Sequence, residues 1–283
     1  MNIKELYAKL DEEYRQSNPP DFITHYNYVN HFKTLTNGLE ISLNRNAVNK
    51  IHESKVLAKK INLLKLTKRG IQHEYKAILE DSDYALVCVS WISVKAYYLI
   101  FNLLLILKYL MTGNDDFSTS HSGILEDFKG YLRRNEIKFN KEEFNQLHPL
   151  KDLLNWKAQS GSNIIRGNVN PEQRLNQLLK KLALYKLEEY QRNQKIKNFR
   201  KKQYRIKKEQ YVAKTDLNLC EFFYWYRIKA NYRDLEFLGK EIKSEYYRDF
   251  YCVYHDLTKY YYLALKNLIN GLSVIRLGKE ILN

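Results

Sequence analysis

Glycine and proline are scarce in this chain, which contains 10 Gly and 4 Pro among 283 residues. Globular proteins on average contain about 7% Gly and about 5% Pro. Residues 172–238 contain neither of them. Because β-architectures need these residues in their frequent tight turns, their scarcity argues against a β-rich fold. The sequence therefore predicts an all-α fold class built from long helices.

Cysteine and the usual cofactor motifs are also sparse. Cys88, Cys220 and Cys252 are odd in number and lie far apart in apolar surroundings, which is typical of buried thiols in a reducing compartment. The first residues, MNIKELYAKLDEEYRQ, contain no apolar h-region, so we expect no signal peptide and a cytoplasmic location. P-loops, Gly-rich dinucleotide turns and Cys/His metal spacings do not occur. We expect no cofactor and no metal.

The longest apolar stretch runs from Ala85 to Met111 and is long enough to cross a bilayer. Lys95 near its middle and Asn102 argue against a membrane span. A helix that is apolar on all sides is instead expected at the centre of a soluble bundle. Gly113 predicts its end in a left-handed residue. The hydroxyls of residues 118–120 are candidates for capping the next helix, residues 123–132.

Other segments are assigned more coarsely. Residues 47–66 form a basic amphipathic pattern that we expect to break at Arg69-Gly70. Residues 160–172 are typical of a loop. The apolar spacing of residues 175–190 predicts a long helix that continues into residues 192–214, and two further helices are expected within 217–238 and 242–272.

A strongly basic tract follows from the composition of residues 192–214. The whole chain carries 47 Lys and Arg against 32 Asp and Glu, a net charge of +15, and this tract holds ten Lys or Arg and one Glu. Such a surplus attracts polyanions, and the aromatic residues interleaved with it are typical of RNA contacts. A solvated helix face is the alternative. The candidate nucleic-acid-binding residues are Lys195, Lys197, Arg200, Lys201, Lys202, Arg205, Lys207 and Lys208.

Three segments together resemble the HEPN family (higher eukaryote and prokaryote nucleotide-binding). They are AYYLIF at 96–101, HSGILEDF at 121–128 and WYRIKANYRDLEFL at 225–238. The third is similar to an Arg-x-x-x-Asp-Tyr segment of the family, with Asn231 in place of the usual aspartate. The resemblance implies a HEPN-like helical bundle in residues 71–283, with 136–215 as a basic helical insertion and 1–70 as an N-terminal helical arm.

The resemblance also implies where catalysis would occur. Ribonucleases of the family carry an arginine, usually followed by Asn, Asp or His, and then a histidine after four to six intervening residues. Two pairs here have six: Arg248 and His255, and Arg45 and His52. We prefer the first pair because it lies within the implied bundle. His121 is a further candidate for a catalytic base, although the resemblance implies a structural role for it near a helix start.

The functional hypothesis is an RNA-binding HEPN-like protein, with a metal-independent endoribonuclease of a defence or toxin system as its catalytic form. Histidine would act as acid or base and arginine would steady the phosphate. A working single motif implies a homodimer. The alternative is a non-catalytic accessory or inhibitor subunit that binds RNA or a ribonucleoprotein. A third hypothesis is a protein-binding surface made by exposed tyrosines of residues 246–262.

Overall fold

The computed structural model describes residues 20–44, 49–117, 119–157, 171–232 and 244–282, and about three quarters of these are helical. The predicted all-α class is confirmed. The helices are α1 (Pro20–Thr36), α2 (Lys55–Glu80), α3 (Tyr84–Thr112), α4 (His121–Arg133), α5 (Glu142–Asn145), α6 (Leu150–Asn155), α7 (Pro171–Asn193), α8 (Lys202–Lys214), α9 (Phe222–Tyr232) and α10 (Ser244–Leu277).

Four short strands form two small antiparallel sheets. Strand β1 (Ile41–Leu43) pairs with β2 (Ile137–Phe139), and β3 (His148–Pro149) pairs with β4 (Asp216–Leu217). The buried side chains of Ile41, Ile137 and Phe139 extend the helical core into the first sheet. A 3₁₀ turn, Leu219–Glu221, connects β4 to α9.

Helix α3 is the centre of the bundle, as the sequence predicts. It packs against α10, α2, α9 and α4, and Leu103, Ile106, Leu107 and Leu110 are completely buried. Within the described residues it is the one helix long and apolar enough to cross a membrane, and 67% of its most apolar window is buried inside the protein. Most of its apolar surface is therefore covered by other helices, as in the core of a soluble protein, while Leu86, Val87 and Trp91 near its first residues are exposed.

The predicted end of α3 at Gly113 and the predicted hydroxyl cap of the next helix are confirmed, although α4 begins at His121, two residues before the predicted start. Gly113 has a φ of 76°, and its backbone N–H donates to the carbonyl of Tyr109 at 2.7 Å. A left-handed residue at this position costs glycine little because it lacks a Cβ. The hydroxyl of Ser120 then accepts from the N–H of Gly123 at 3.1 Å, which caps α4.

Several boundaries differ from the prediction. The basic amphipathic helix expected from residue 47 begins at Lys55, and the helix expected from residue 217 begins at Phe222, after strand β4 and the 3₁₀ turn. Helix α2 continues through Gly70, because buried Leu64, Ile71 and Ile78 hold it against the core on both sides. It therefore crosses the expected boundary between the N-terminal arm, residues 1–70, and the bundle, residues 71–283. The division into domains itself stays a prediction. The long helix expected from 175 to 214 is two helices, α7 and α8, separated by residues 194–201. Most of the expected loop at 160–172 lies outside the described residues.

Candidate functional site

The basic tract forms a helical hairpin made of α7, the turn at 194–201 and α8, called the basic hairpin below. Helix α7 ends in a Schellman turn: Ile196 N–H donates to the carbonyl of Gln191 and Lys195 N–H to that of Arg192, both at 2.9 Å. Lys195 occupies the left-handed position of this turn, with a φ of 52°. Buried Ile196 supplies the apolar contact that usually accompanies the motif.

Aromatic contacts hold the two helices of the basic hairpin together. The rings of Tyr190 and Tyr211 stack with centroids 3.9 Å apart and planes 9° apart. The ammonium group of Lys208 lies 5.5 Å from the centre of the Phe199 ring. Phe199 and Tyr211 of the basic tract were expected to stack on bases or to pack against the protein, and in the structure they contact other residues of the hairpin. Tyr190, Phe199 and Tyr211 are therefore half-buried by contacts within the hairpin, and most of its cations are exposed.

The eight predicted RNA-contact residues lie together on this hairpin. All are exposed except Lys208, which is half-buried, and α8 has no buried residue. Within the described part of the chain, none of the eight forms an ion pair with a carboxylate. Unpaired cations at this density make a surface that is attractive to phosphate.

A buried ion network positions the base of the basic hairpin. Glu221 accepts from Lys186 of α7 at 2.7 Å and from the indole N–H of Trp225 at 2.8 Å, and it lies 3.2 Å from the ammonium of Lys129 in α4. Lys129 also contacts Asp216 at 2.9 Å. The two ammonium groups hold the pKa of Glu221 below its usual value despite burial. Sequence analysis missed this network because its five members lie on five different helices, strands and turns.

The preferred catalytic pair, Arg248 and His255, lies on helix α10. His255 stacks on Tyr75 of α2, with ring centroids 3.9 Å apart, and its Nδ1 lies 3.5 Å from an oxygen of Asp256. Burial lowers the pKa of His255, with Asp256 acting in the opposite sense, so the imidazole is neutral at pH 7. Arg248 lies two turns earlier beside Asp249 and does not line the groove that contains His255.

The alternative pair is described only in part, because Arg45 lies outside the described residues. His52 has an exposed side chain, and its backbone carbonyl accepts a hydrogen bond from the hydroxyl of Tyr109. Neither pair is tested by this arrangement, and both stay predictions.

A further cluster forms around His121, the first residue of α4. Its Nδ1 lies 2.5 Å from the hydroxyl of Tyr97, and its ring packs 4.5 Å from that of Phe101. The guanidinium of Arg227 lies 4.5 Å from the centre of the Tyr97 ring and 3.4 Å from the hydroxyl of Tyr98. Burial and the charge of Arg227 lower the pKa of His121. Tyr97 therefore contacts both the neutral imidazole of His121 and the guanidinium of Arg227.

Each of the three segments that resemble the HEPN family contributes at least one member of this cluster. Tyr97 belongs to AYYLIF, His121 to HSGILEDF and Arg227 to WYRIKANYRDLEFL. Sequence analysis did not identify Arg227 as a site residue. Its position within the third segment was the available signal.

Three other expectations concern the cysteines, metal binding and the tyrosines of residues 246–262. Cys88 and Cys220 are buried and Cys252 is half-buried, and all three are free thiols. In the described residues, no group of three His, Cys, Asp or Glu side chains lies close enough to hold a metal ion. The tyrosines of residues 246–262 are mostly buried in the core, which removes the surface that the third functional hypothesis needs.

Comparison of the chain with protein-family models, with curated proteins and with solved structures found no match.

Proposed function

We propose that this protein binds RNA in the cytoplasm as a HEPN-like helical protein, and that the basic hairpin is its RNA-contact surface. The observation that carries the proposal is the set of eight cations without a carboxylate partner in the described part of the chain, on a single hairpin whose two helices are joined by the stacked rings of Tyr190 and Tyr211. Exposed cations without carboxylate partners bind phosphate without first losing an internal ion pair. The convergence of Tyr97, His121 and Arg227 supports the HEPN-like part of the proposal.

The salt dependence of binding tests this proposal. Each phosphate contact with single-stranded RNA contributes about −0.7 to the slope of log K against log salt concentration. We expect the triple variant Lys201→Gln, Lys202→Gln and Arg205→Gln to flatten the slope by about 2. A matched triple variant, Lys55→Gln, Lys59→Gln and Lys138→Gln, removes three exposed charges elsewhere. The assignment would be refuted if the slope flattened equally in both variants, or if the unaltered protein did not bind RNA at low salt.

A second candidate function is metal-independent cleavage of RNA. Two partly buried histidines with lowered pKa values, His255 and His121, favour it. A neutral imidazole can accept a proton from a ribose 2′-hydroxyl, and an arginine can stabilise the charge that develops on the phosphate. Arg248 and His255 remain the proposed catalytic pair, with Arg45 and His52 as the alternative. Arg227 and His121 form a third pair, one whose side chains lie in a single cluster.

Cleavage is tested with total RNA in the presence of a chelator, by sequencing new RNA ends. Loss of cleavage in His255→Ala supports Arg248 and His255, and loss in His121→Ala supports the cluster around Arg227. Retained RNA binding without any new ends supports the non-catalytic alternative, an accessory or inhibitor subunit that binds RNA or a ribonucleoprotein. Light scattering on the same sample tests the homodimer that a single catalytic motif implies. A cleaving homodimer would fit the proposed role in a defence or toxin system.

A further inference from the structure

A groove of about 570 Å³ lies between α2 and α10, away from the basic hairpin. Tyr75 stacks on His255, and the ammonium of Lys68 lies 4.9 Å from the centre of the Tyr262 ring. Because residue numbers rise along α2 as their partners' numbers fall along α10, the two helices run in opposite directions beside the groove. Its lining extends from Lys68 to Leu79 along α2, about 16 Å at the rise of an α-helix. Its volume lies within the range of about 300–1,000 Å³ that is typical of small-molecule sites.

Four of the twelve residues that line the groove are aliphatic. Buried Ile71 and Leu99 form its inner side, and exposed Leu79 and Leu263 line it nearer to solvent. Large aliphatic side chains at the surface lose contact with water when an apolar ligand covers them. Aromatic surface contributes less, because Tyr75 and His255 already stack on each other and Lys68 already covers a face of Tyr262.

The charges that line the groove are all of one sign. Lys68, Lys76 and Lys259 line it, and no Asp or Glu does. None of these lysines forms an ion pair within the described part of the chain. Burial and the nearby charge of Lys266 lower the pKa of Lys68, so an anion beside Lys68 would relieve an existing repulsion. Lys259 lies one turn before Tyr262 on α10, on the same side as Lys68.

We propose that this groove is a binding site for a small amphipathic anion, a single aliphatic chain with a carboxylate or similar head group. The chain would lie along Leu79, Leu99 and Leu263, and the head group would contact the ammonium groups of Lys68 and Lys259. A nucleotide fits the lining less well, because a base needs an open aromatic face on which to stack. This site shares no residue with the basic hairpin, but it contains His255 of the proposed catalytic pair, so an anion bound there would compete with RNA cleavage at His255.

Calorimetric titration of the full chain with dodecanoate, below its critical micelle concentration, tests the proposal. We expect the double variant Lys68→Gln and Lys259→Gln to weaken binding on the order of tenfold. Leu263→Asn should weaken it comparably, and because Leu263 is exposed this variant should fold normally. The matched control Lys138→Gln and Lys151→Gln should bind as the unaltered protein does. Dodecanol, which lacks the charge, should bind more weakly than dodecanoate.

Four outcomes would overturn the proposal. They are absence of dodecanoate binding, equal binding of dodecanol, tighter binding of uridine monophosphate, and recruitment to phosphatidylglycerol vesicles that depends on Lys68 and Lys259. The last would assign the groove to a membrane surface instead. The triple variant of the basic hairpin separates the two functions, because it should lose RNA binding and keep dodecanoate binding.

Discussion

The carboxylate of Glu221 and the ammonium of Lys186 lie 2.7 Å apart, and their side chains are 2% and 8% exposed. Lys129, which is 1% exposed, contacts the other oxygen of the same carboxylate. Glu221 therefore contacts two buried cations, of which Lys129 also has Asp216 and Glu126 as partners and Lys186 has no second carboxylate among the described residues. Removing a single member of such a buried network costs more than the network contributes as a whole, because the partners remain buried without compensation.

We expect Glu221→Gln to lower the free energy of unfolding by about 3–5 kcal/mol, measured by urea denaturation. Glu126→Gln is the matched control, because Glu126 also contacts Lys129 but is 55% exposed. Its loss should cost about 1 kcal/mol or less. Equal costs for the two variants would show that burial of Glu221 does not determine the contribution of the network.

The stability of the fold should depend on pH through His31 of α1. Burial, with a smaller contribution from Arg174, lowers the pKa of His31 from 6.5 to about 4. The unfolded chain therefore takes up a proton at a higher pH than the folded chain does. The free energy of unfolding should fall as the pH drops from about 6.5 to about 4, by about 3 kcal/mol from this group.

Urea denaturation across that pH range measures the effect, and His31→Gln should flatten the curve. His73→Gln replaces an exposed histidine and should leave the slope as it is. If His31→Gln keeps the full slope, other groups cause the pH dependence.

Lys195 should be replaceable by glycine without loss of stability. The backbone of Lys195 is in the left-handed region, with a φ of 52°. This conformation costs a non-glycine residue about 1 kcal/mol. We expect Lys195→Gly to raise the free energy of unfolding by up to about 1 kcal/mol. Lys197→Gly, in the same turn but without a positive φ, should lower it slightly. Thermal denaturation measures the stability of both variants. A lower stability of Lys195→Gly than of Lys197→Gly would contradict the prediction.

The burial of α3 can be tested by truncating its side chains. Leu103 is completely buried and Val87 is 65% exposed. We expect Leu103→Ala to lower the free energy of unfolding by about 2–5 kcal/mol and Val87→Ala to change it by about 0.5 kcal/mol or less. Detergent-free preparations and urea denaturation suffice. Equal small effects would contradict a central position for α3.

Local patterns predicted the features that depend on a few neighbouring residues. The apolar run of α3, the left-handed Gly113 and the Ser120 cap are all determined by chemistry within one or two helical turns. Gly70 misled the prediction because a helical glycine costs only about 1 kcal/mol. Burial of Ile71 beside it outweighs that cost. The turn at Lys195 was missed because lysine stands where glycine is usual.

The candidate sites could be predicted only as separate pieces. The cations of the basic hairpin are adjacent in sequence, so their common surface followed from composition. Tyr97, His121 and Arg227 come from three distant segments, and spacing alone gave no reason to join them. The partner of His255 in the fold is Tyr75, about 180 positions earlier. Its stacking depends on the packing of α2 against α10, which no local pattern encodes.

Helix α1 packs against α10, and strand β1 pairs with β2 nearly a hundred positions later. During synthesis on the ribosome, β1 emerges long before its partner β2. Helix α1 cannot pack against α10 until residues 244–277 have left the exit tunnel. Contacts between such distant segments slow folding and leave apolar surface exposed in the growing chain. The apolar residues of α1 and β1 therefore stay without their partners for most of the time that the chain is being synthesised.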